Sequence, residues 1–592
     1  MASNTGFINN LPKIYGMYTG GFVFFVVALA IAEQMGLPNA WIGYVFMAAT
    51  IGLYAMIGIM SRTAETDEYY VAGRSVPALY NGMATGADWM SAASFIGMAG
   101  TLYAQGYDGL AFVMGWTGGY VLVALFLAPY LRKFGQYTIP DFLGVRYGGN
   151  LPRTIGIICA ITASFTYVIA QIYGAGIITS RFLGIDLATG VWVGLVGVLV
   201  CSLLGGMRAV TWTQVAQYII LIIAYLVPVV WLSIKVTGNP VPQLAYGEVL
   251  QQIGQLEQQL GVTAGHATPF VKNDMVNFLA LTFCLMVGTA ALPHILMRFF
   301  TTPSVKEARK SVGWSLFFIF LLYFTAPAYA AFAKLEVYSN VIGQSIAALP
   351  GWVASWTQVG LVSVCDAVDA MTTVKGCAVN GNGDGILQLA ELVLNADAIV
   401  LATPEIAGLP YVIAGLVAAG GLAAALSTAD GLLLTISNAL SHDVYYKMVN
   451  PNASAKKRLT IARILLLGVA AIAAYAASNA PATILSIVAW AFSIAAAAFF
   501  PALVLGIFWK RANKAGAVAG MLVGFGLTLY YLINVKFLGM TPWFGIKDVS
   551  AGIFGIPLGF ITIWAVSLMT QEPSQETKDM VEDLRYPKLA KG

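Results

Sequence analysis

Charge is what this sequence has least of. Of its 592 residues only 10% are Asp, Glu, Lys or Arg, while 59% belong to the set AVILMFWYC. A soluble domain carries about 25% charged residues, so a water-soluble fold is excluded and the chain reads as an all-α polytopic membrane protein. Histidine occurs three times, and the five cysteines contain no C-x-x-C pair, which leaves a zinc or redox centre without support. The net charge of +4 is small and dispersed, so no nucleic-acid partner is expected. No nucleophile–base constellation stands out either, and no enzyme is expected.

What the chain does have is apolar length. About fourteen stretches reach the ~20 residues a bilayer crossing needs, from 17–34 at the start to 550–570 at the end. With both termini cytoplasmic, only seven of the 31 Lys and Arg fall outside: Arg181, Lys235, Lys272, Lys334, Lys375, Lys536 and Lys547. That asymmetry sets the orientation and predicts a multi-pass protein of the cell inner membrane. The stretch 17–34 also fits a cleavable signal peptide; cleavage would leave thirteen spans and an outside N-terminus.

Charged residues inside spans need a reason, since each costs roughly 2.5–3.5 kcal/mol on insertion scales. Asp88 falls in the third span, Asp430 in the tenth, and His294 and Arg298 in the eighth. The third span reads Gly86-Ala87-Asp88-Trp89-Met90-Ser91-Ala92-Ala93-Ser94, and the eighth reads Gly288-Thr289-Ala290-Ala291-Leu292-Pro293-His294. Small residues and proline are common in membrane helices, where they mostly serve packing. Interrupted helices at corresponding places in two halves point instead to a transporter's binding site, and these two spans each open a run of five.

At these residues the chain resembles the sodium:solute symporter family, most nearly its cation/acetate branch. The strings that carry the likeness are Tyr69 to Arg74, Asp88 to Phe95, Thr138 to Phe142, Ile169 to Gly176, Gly205 to Arg208, Gly288 to Arg298, Ala425 to Gly431 and Ser441 to Asp443. The resemblance implies a LeuT-type core of two inverted five-helix repeats. It divides the chain into N-terminal helices (1–82), a first repeat (83–236), an outside loop (237–276), a second repeat (277–508) and C-terminal helices with a cytoplasmic tail (509–592). It also implies a site for the transported sodium ion, formed by the carbonyls of Ala87, Met90 and Ala424 and the hydroxyls of Ser427 and Thr428. Some relatives carry an aspartate immediately before the position of Met90; here that residue is Trp89 and the aspartate is Asp88.

The leading expectation is a symporter that couples sodium entry to uptake of a small organic anion, a monocarboxylate such as acetate. On position alone, Thr85, Ser91, Ser94, Gln171, Thr289 and Trp490 are candidates to contact it. Proton coupling through Asp88 or Asp430, or another small organic solute, are the alternatives. A sensor is disfavoured because only a short polar stretch follows residue 571, and a channel because nothing resembles a selectivity filter. Besides the lipid bilayer, a small companion membrane subunit is a further partner implied by some relatives.

The long outside insertion, 336–409, carries a separate motif over 380–391. Set against the calcium-loop pattern, Asn380, Asn382, Asp384, Ile386, Gln388 and Glu391 fall at the ligand positions, and Gly385 at the turn. An Asn/Gly turn without metal is the alternative. Cys365 and Cys377 are the only cysteines expected outside, where a disulfide between them can persist; it would steady a structural calcium loop.

Overall fold

The computed structural model describes residues 2–63, 65–203, 206–365 and 381–586. The helices that build the site are α1 (Leu11–Gln34), α2 (Ala78–Trp89), α3 (Met98–Gln105), α4 (Asn150–Leu183), α5 (Gly206–Thr237), α6 (Met275–Thr289), α7 (Pro293–Met297), α8 (Val305–Tyr323), α9 (Tyr411–Asn438) and α10 (Ile484–Phe508). Twelve described segments are long and apolar enough to cross a membrane. Of the other expected spans, one is broken in mid-course, its outer part running on into the next apolar helix, and the other is a shorter apolar helix, Leu187–Leu199. The expected outside loop 237–276 is not all loop, since it holds an 18-residue helix, Pro242–Gln259.

The third and eighth spans are both interrupted. α2 stops at Trp89, and the chain turns through Met90 and Ser91 before helical structure resumes and runs on through α3. The peptide groups freed there are taken by side chains. Gln171 Oε1 on α4 accepts the N–H of Ala92 at 2.9 Å, and Ser91 Oγ accepts that of Ala93 at 3.2 Å. In the second interruption Pro293 brings no N–H and bars its predecessor from the helical region. Leu292 is accordingly extended (φ −70°, ψ 119°), and α7 begins after it.

The two broken helices run antiparallel. At one end Val76 N–H reaches the carbonyl of Thr301 (3.2 Å); at the other, Asp108 accepts the N–H groups of Phe270, Lys272 and Asn273 at 2.7–2.9 Å. Between them lies α9, with every residue of its apolar window buried. α1 docks on the core through Tyr15 and Tyr18, whose hydroxyls donate to backbone carbonyls of α5. Its Glu33 carboxylate accepts the N–H groups of Tyr411 and Val412 (2.7 and 2.8 Å) and so caps α9.

The 336–409 insertion reaches back into the core. Its turn at Ala396–Ala398 lies so close to α3 that a Cβ on Gly100 would sit 1.8 Å from the Ala396 carbonyl oxygen. Next to it, fully buried Asp397 accepts the N–H of Ile484 at 3.1 Å, at the start of α10. Burial pushes its carboxyl up from 3.8 to about 7. The folded state therefore holds a proton that the unfolded chain releases near pH 4, and stability falls as pH rises from there towards 7. In thermal melts, Asp397→Asn should remove that slope. Gly100→Ala should cost about 1–3 kcal/mol through forced displacement. Gly526→Ala, which meets nothing within 4 Å, should be neutral or stabilising by roughly 0.5–1 kcal/mol.

Candidate functional site

The break in α2 and the middle of α9 bring Ala87, Ala424, Ser427 and Thr428 together, four of the five residues expected at the cation. Ser427 Oγ donates to the Ala87 carbonyl at 2.7 Å and lies 3.0 Å from that of Ala424. Thr428 Oγ1 lies 2.7 Å from the next carbonyl along, that of Asp88. Met90 sits in the break itself, its N–H bonded to the Gly86 carbonyl. All five residues are buried, and the oxygens they gather are neutral. A hard cation such as sodium prefers oxygen ligands of this kind.

Trp89 donates Nε1 to the Tyr323 hydroxyl at 2.7 Å. The Asp88 carboxylate turns to Arg298 on the other broken helix, Oδ2 to Nε 2.8 Å, with both side chains fully buried. His294 and Arg298 thus lie inside the protein, and Arg298 holds a charge partner there.

The solute candidates divide. Ser91 Oγ accepts from the Tyr167 hydroxyl (3.0 Å), Ser94 Oγ lies 2.9 Å from the Tyr323 hydroxyl, and Gln171 spans the break through its carbonyl oxygen. These three gather around the interruption. Thr85 and Thr289 donate back to their own helices, to the carbonyls of Asn81 and Leu285 at 2.7 Å each; Thr289 also wedges against Gly119 of the fourth span. Trp490 Nε1 donates to Asp548 Oδ2 at 2.8 Å and its ring faces Lys536, which ties this candidate to the segment after Lys514–Phe537.

Aromatic residues missed in the sequence complete the walls. Trp89 packs on Tyr120 and Phe492 (ring centroids 5.0 and 5.4 Å), Trp116 on Phe492 and Tyr323 (5.6 and 6.0 Å), and Tyr167 on His294 (5.6 Å). Gln171 Nε2, Trp116 Nε1, the Tyr120 hydroxyl and both His294 ring nitrogens are buried without a hydrogen-bond partner among the described residues. Buried polar atoms are seldom left so. Unused hydrogen-bonding capacity is thus left on Gln171, Trp116, Tyr120 and His294, among the aromatic rings packed at the break.

A profile of the sodium:solute symporter family matches residues 69–355 and 377–524. The chain belongs to that family. An uncharacterized symporter of Cupriavidus necator is 46% identical over 98% of this chain and 99% of its own. A monocarboxylic acid transporter of Corynebacterium glutamicum is 28% identical over 91% and 93%. Among solved structures, a substrate-bound, outward-open sodium-coupled sialic acid symporter superposes with a TM-score of 0.67 at 17% identity, over 90% of this chain and 99% of that one. The fold is the LeuT type, and the chain is a multi-pass transporter of the sodium-coupled class.

Two of the symporter's family strings, Thr138 to Phe142 and Ser441 to Asp443, meet in space. Buried Asp141, His442 and Asp443 place ligand atoms within 4.8 Å of one another, as a metal set would. Arg458 sets the tautomer of the imidazole. Its Nη2 lies 3.2 Å from His442 Nδ1, and because arginine can only donate, Nδ1 accepts and Nε2 bears the hydrogen facing Asp141, 3.7 Å away. Arg153 pairs with Asp141 at 3.0 Å, and Thr138 donates to Asp443 at 2.8 Å. The group is held together by the Arg153–Asp141, Thr138–Asp443 and Arg458–His442 bonds, while His442 Nε2 and Asp443 Oδ1 stay without a hydrogen-bond partner among the described residues.

In the insertion, Asn380 and Cys377 lie outside the described residues. Cys365 is disulfide-bonded, while Cys159 and Cys284 are buried and free. The remaining loop closes on itself: Glu391 Oε1 accepts Asn382 N–H (3.1 Å), its Oε2 accepts Gln388 N–H (2.9 Å), Asp384 accepts Ile386 N–H (2.8 Å), and Gln388 donates to Asp384 (3.1 Å). Buried Glu391 is thus satisfied by the turn's own backbone. Glu391→Ala should cost the fold about 1–3 kcal/mol through N–H groups left unpaired, read as a lowered melting temperature. Melting with calcium and with chelator separates the two uses of the loop: equal temperatures mean a turn alone, and a rise with calcium means an ion joins it.

Proposed function

We propose that this symporter couples sodium entry to uptake of a small monocarboxylate such as acetate, in the cell inner membrane, with both termini cytoplasmic and the first helix retained. The observation that carries the reading is the unpartnered N–H and O–H capacity of Gln171, Trp116 and Tyr120 within aromatic walls beside the break. A carboxylate would accept those donors, and a short alkyl tail would suit the walls. The only arginine on the two broken helices near that space, Arg298, is already paired with Asp88, so the anion would be held by dipoles and not by an ion pair. The monocarboxylic acid transporter of Corynebacterium glutamicum among the relatives supports the same substrate class. A four-heavy-atom solute gains at most about −1.5 kcal/mol per atom, which puts affinity no tighter than roughly tens of micromolar.

Uptake of labelled acetate, lactate, pyruvate and propionate into proteoliposomes, with sodium and proton gradients imposed separately, tests this. Sodium alone should drive uptake; uptake driven by a proton gradient alone selects the proton-coupled alternative. Ser427→Ala and Thr428→Ala should each raise half-saturating sodium about tenfold, as loss of one cation ligand implies. Ser437→Ala, whose hydroxyl donates to the Ala462 carbonyl on the neighbouring helix, away from the cation oxygens, should leave it unchanged. Gln171→Leu should raise half-saturating solute by a similar factor at saturating sodium.

A further inference from the structure

Arg298 belongs to a circuit of four hydrogen bonds, joined through short stretches of α9 and α5, that runs past the cation oxygens. Starting on the second broken helix, Arg298 Nε donates to Asp88 Oδ2 (2.8 Å) on α2. The Asp88 carbonyl accepts Thr428 Oγ1 (2.7 Å) on α9. One residue back along α9, the Ser427 carbonyl accepts Gln214 Nε2 (2.7 Å) on α5. Gln214 stands one helical turn from Thr211, whose hydroxyl accepts Arg298 Nη1 (3.1 Å) and closes the ring. Thr211 can accept because its own proton goes to the Met207 carbonyl (2.6 Å). All six side chains are fully buried. Asn81 on α2 fixes the Arg298 backbone as well, donating to its carbonyl at 3.2 Å.

The ring's geometry depends on a residue without a side chain. Gly431 lies one turn below Ser427 on α9, and a Cβ there would stand 2.3 Å from Asp88 Oδ1. The carboxylate can therefore lie flat along α9 with its backbone carbonyl aimed at Thr428. Its charge is cancelled by the guanidinium, so the cation oxygens sit beside an ion pair of no net charge.

We propose that Arg298 is a positioning residue for sodium. It touches no cation oxygen itself. Through Asp88 and Thr211 it holds α2, α5 and α9 in the register that presents the Ala87, Ser427 and Thr428 oxygens, and it ties that register to the second broken helix. Sodium binding and the state of the solute-side helices are then linked through one side chain. This rests on the sodium site proposed above.

Sodium-dependent melting of the purified full-length protein tests it, with choline replacing sodium at constant ionic strength, since a ligand bound to the folded state raises its stability in proportion to occupancy. Thr211→Val breaks the ring without changing charge and should raise half-saturating sodium about fivefold; Thr211→Ser should restore it. Asp88→Asn leaves a buried guanidinium unpaired beside the cation and should raise it by more than tenfold. Adding Arg298→Gln to Asp88→Asn removes that charge and should bring the value back towards that of Thr211→Val, a recovery that loss of packing would not produce. If Ser427→Ala raises half-saturating sodium and Thr211→Val does not, the ring is overturned while the sodium site stands. If neither variant moves it, the sodium site and the ring fall together.

Discussion

In the middle of a bilayer no water takes up a free peptide N–H, so a helix can be broken there only where the protein supplies other partners. Everything at the centre of this symporter depends on that condition being met at Ala92 and Ala93, where Gln171 and Ser91 stand in for the missing carbonyls. Because the helix stops at Trp89, carbonyls at its end are released towards α9, and the hydroxyls of Ser427 and Thr428 lie against them. Pro293 does the same for the second broken helix by simpler means, since it has no N–H to satisfy.

On the proposed function the surroundings of the break would serve two partners. The neutral oxygens against α9 would suit a hard cation; Gln171 on α4 and Trp116 and Tyr120 on the fourth span carry N–H and O–H groups among aromatic rings, which would suit an anion with a short apolar tail. A sodium ion and a carboxylate in adjoining places would each screen the other's charge in a low-dielectric interior. Neither subsite requires an unpaired buried charge of the protein. The Asp88–Arg298 pair keeps the charge balance local, and its partners lie on four separate helices, so the arrangement cannot be altered at one helix alone.

Trp89 and Asp88 are neighbours with opposite duties. The indole joins Tyr323 and the aromatic rings, and the carboxylate, one residue back, lies on the face that meets Arg298 and Gly431. A one-residue shift on a helix rotates a side chain by about 100°. That rotation separates the indole beside the break from the carboxylate in the ring.

By itself the sequence determined the membrane class and the two interrupted spans, because apolar length and glycine–proline interruptions are local features written along the chain; the group Ala87, Ala424, Ser427 and Thr428 was legible only through the family resemblance. The grouping of Asp141 with His442, the aromatic walls from Trp116 to Phe492 and the place of Trp490 were decided by tertiary structure. In spans that are apolar on every side, hydropathy and helical period no longer mark which face of a helix meets its neighbour and which meets lipid. Tyr120 and Tyr530 look alike in sequence, yet one is fully buried beside Trp89 and the other is half exposed. Only the packing of helices from distant parts of the chain, set by close approaches such as Gly431 on Asp88, makes that choice.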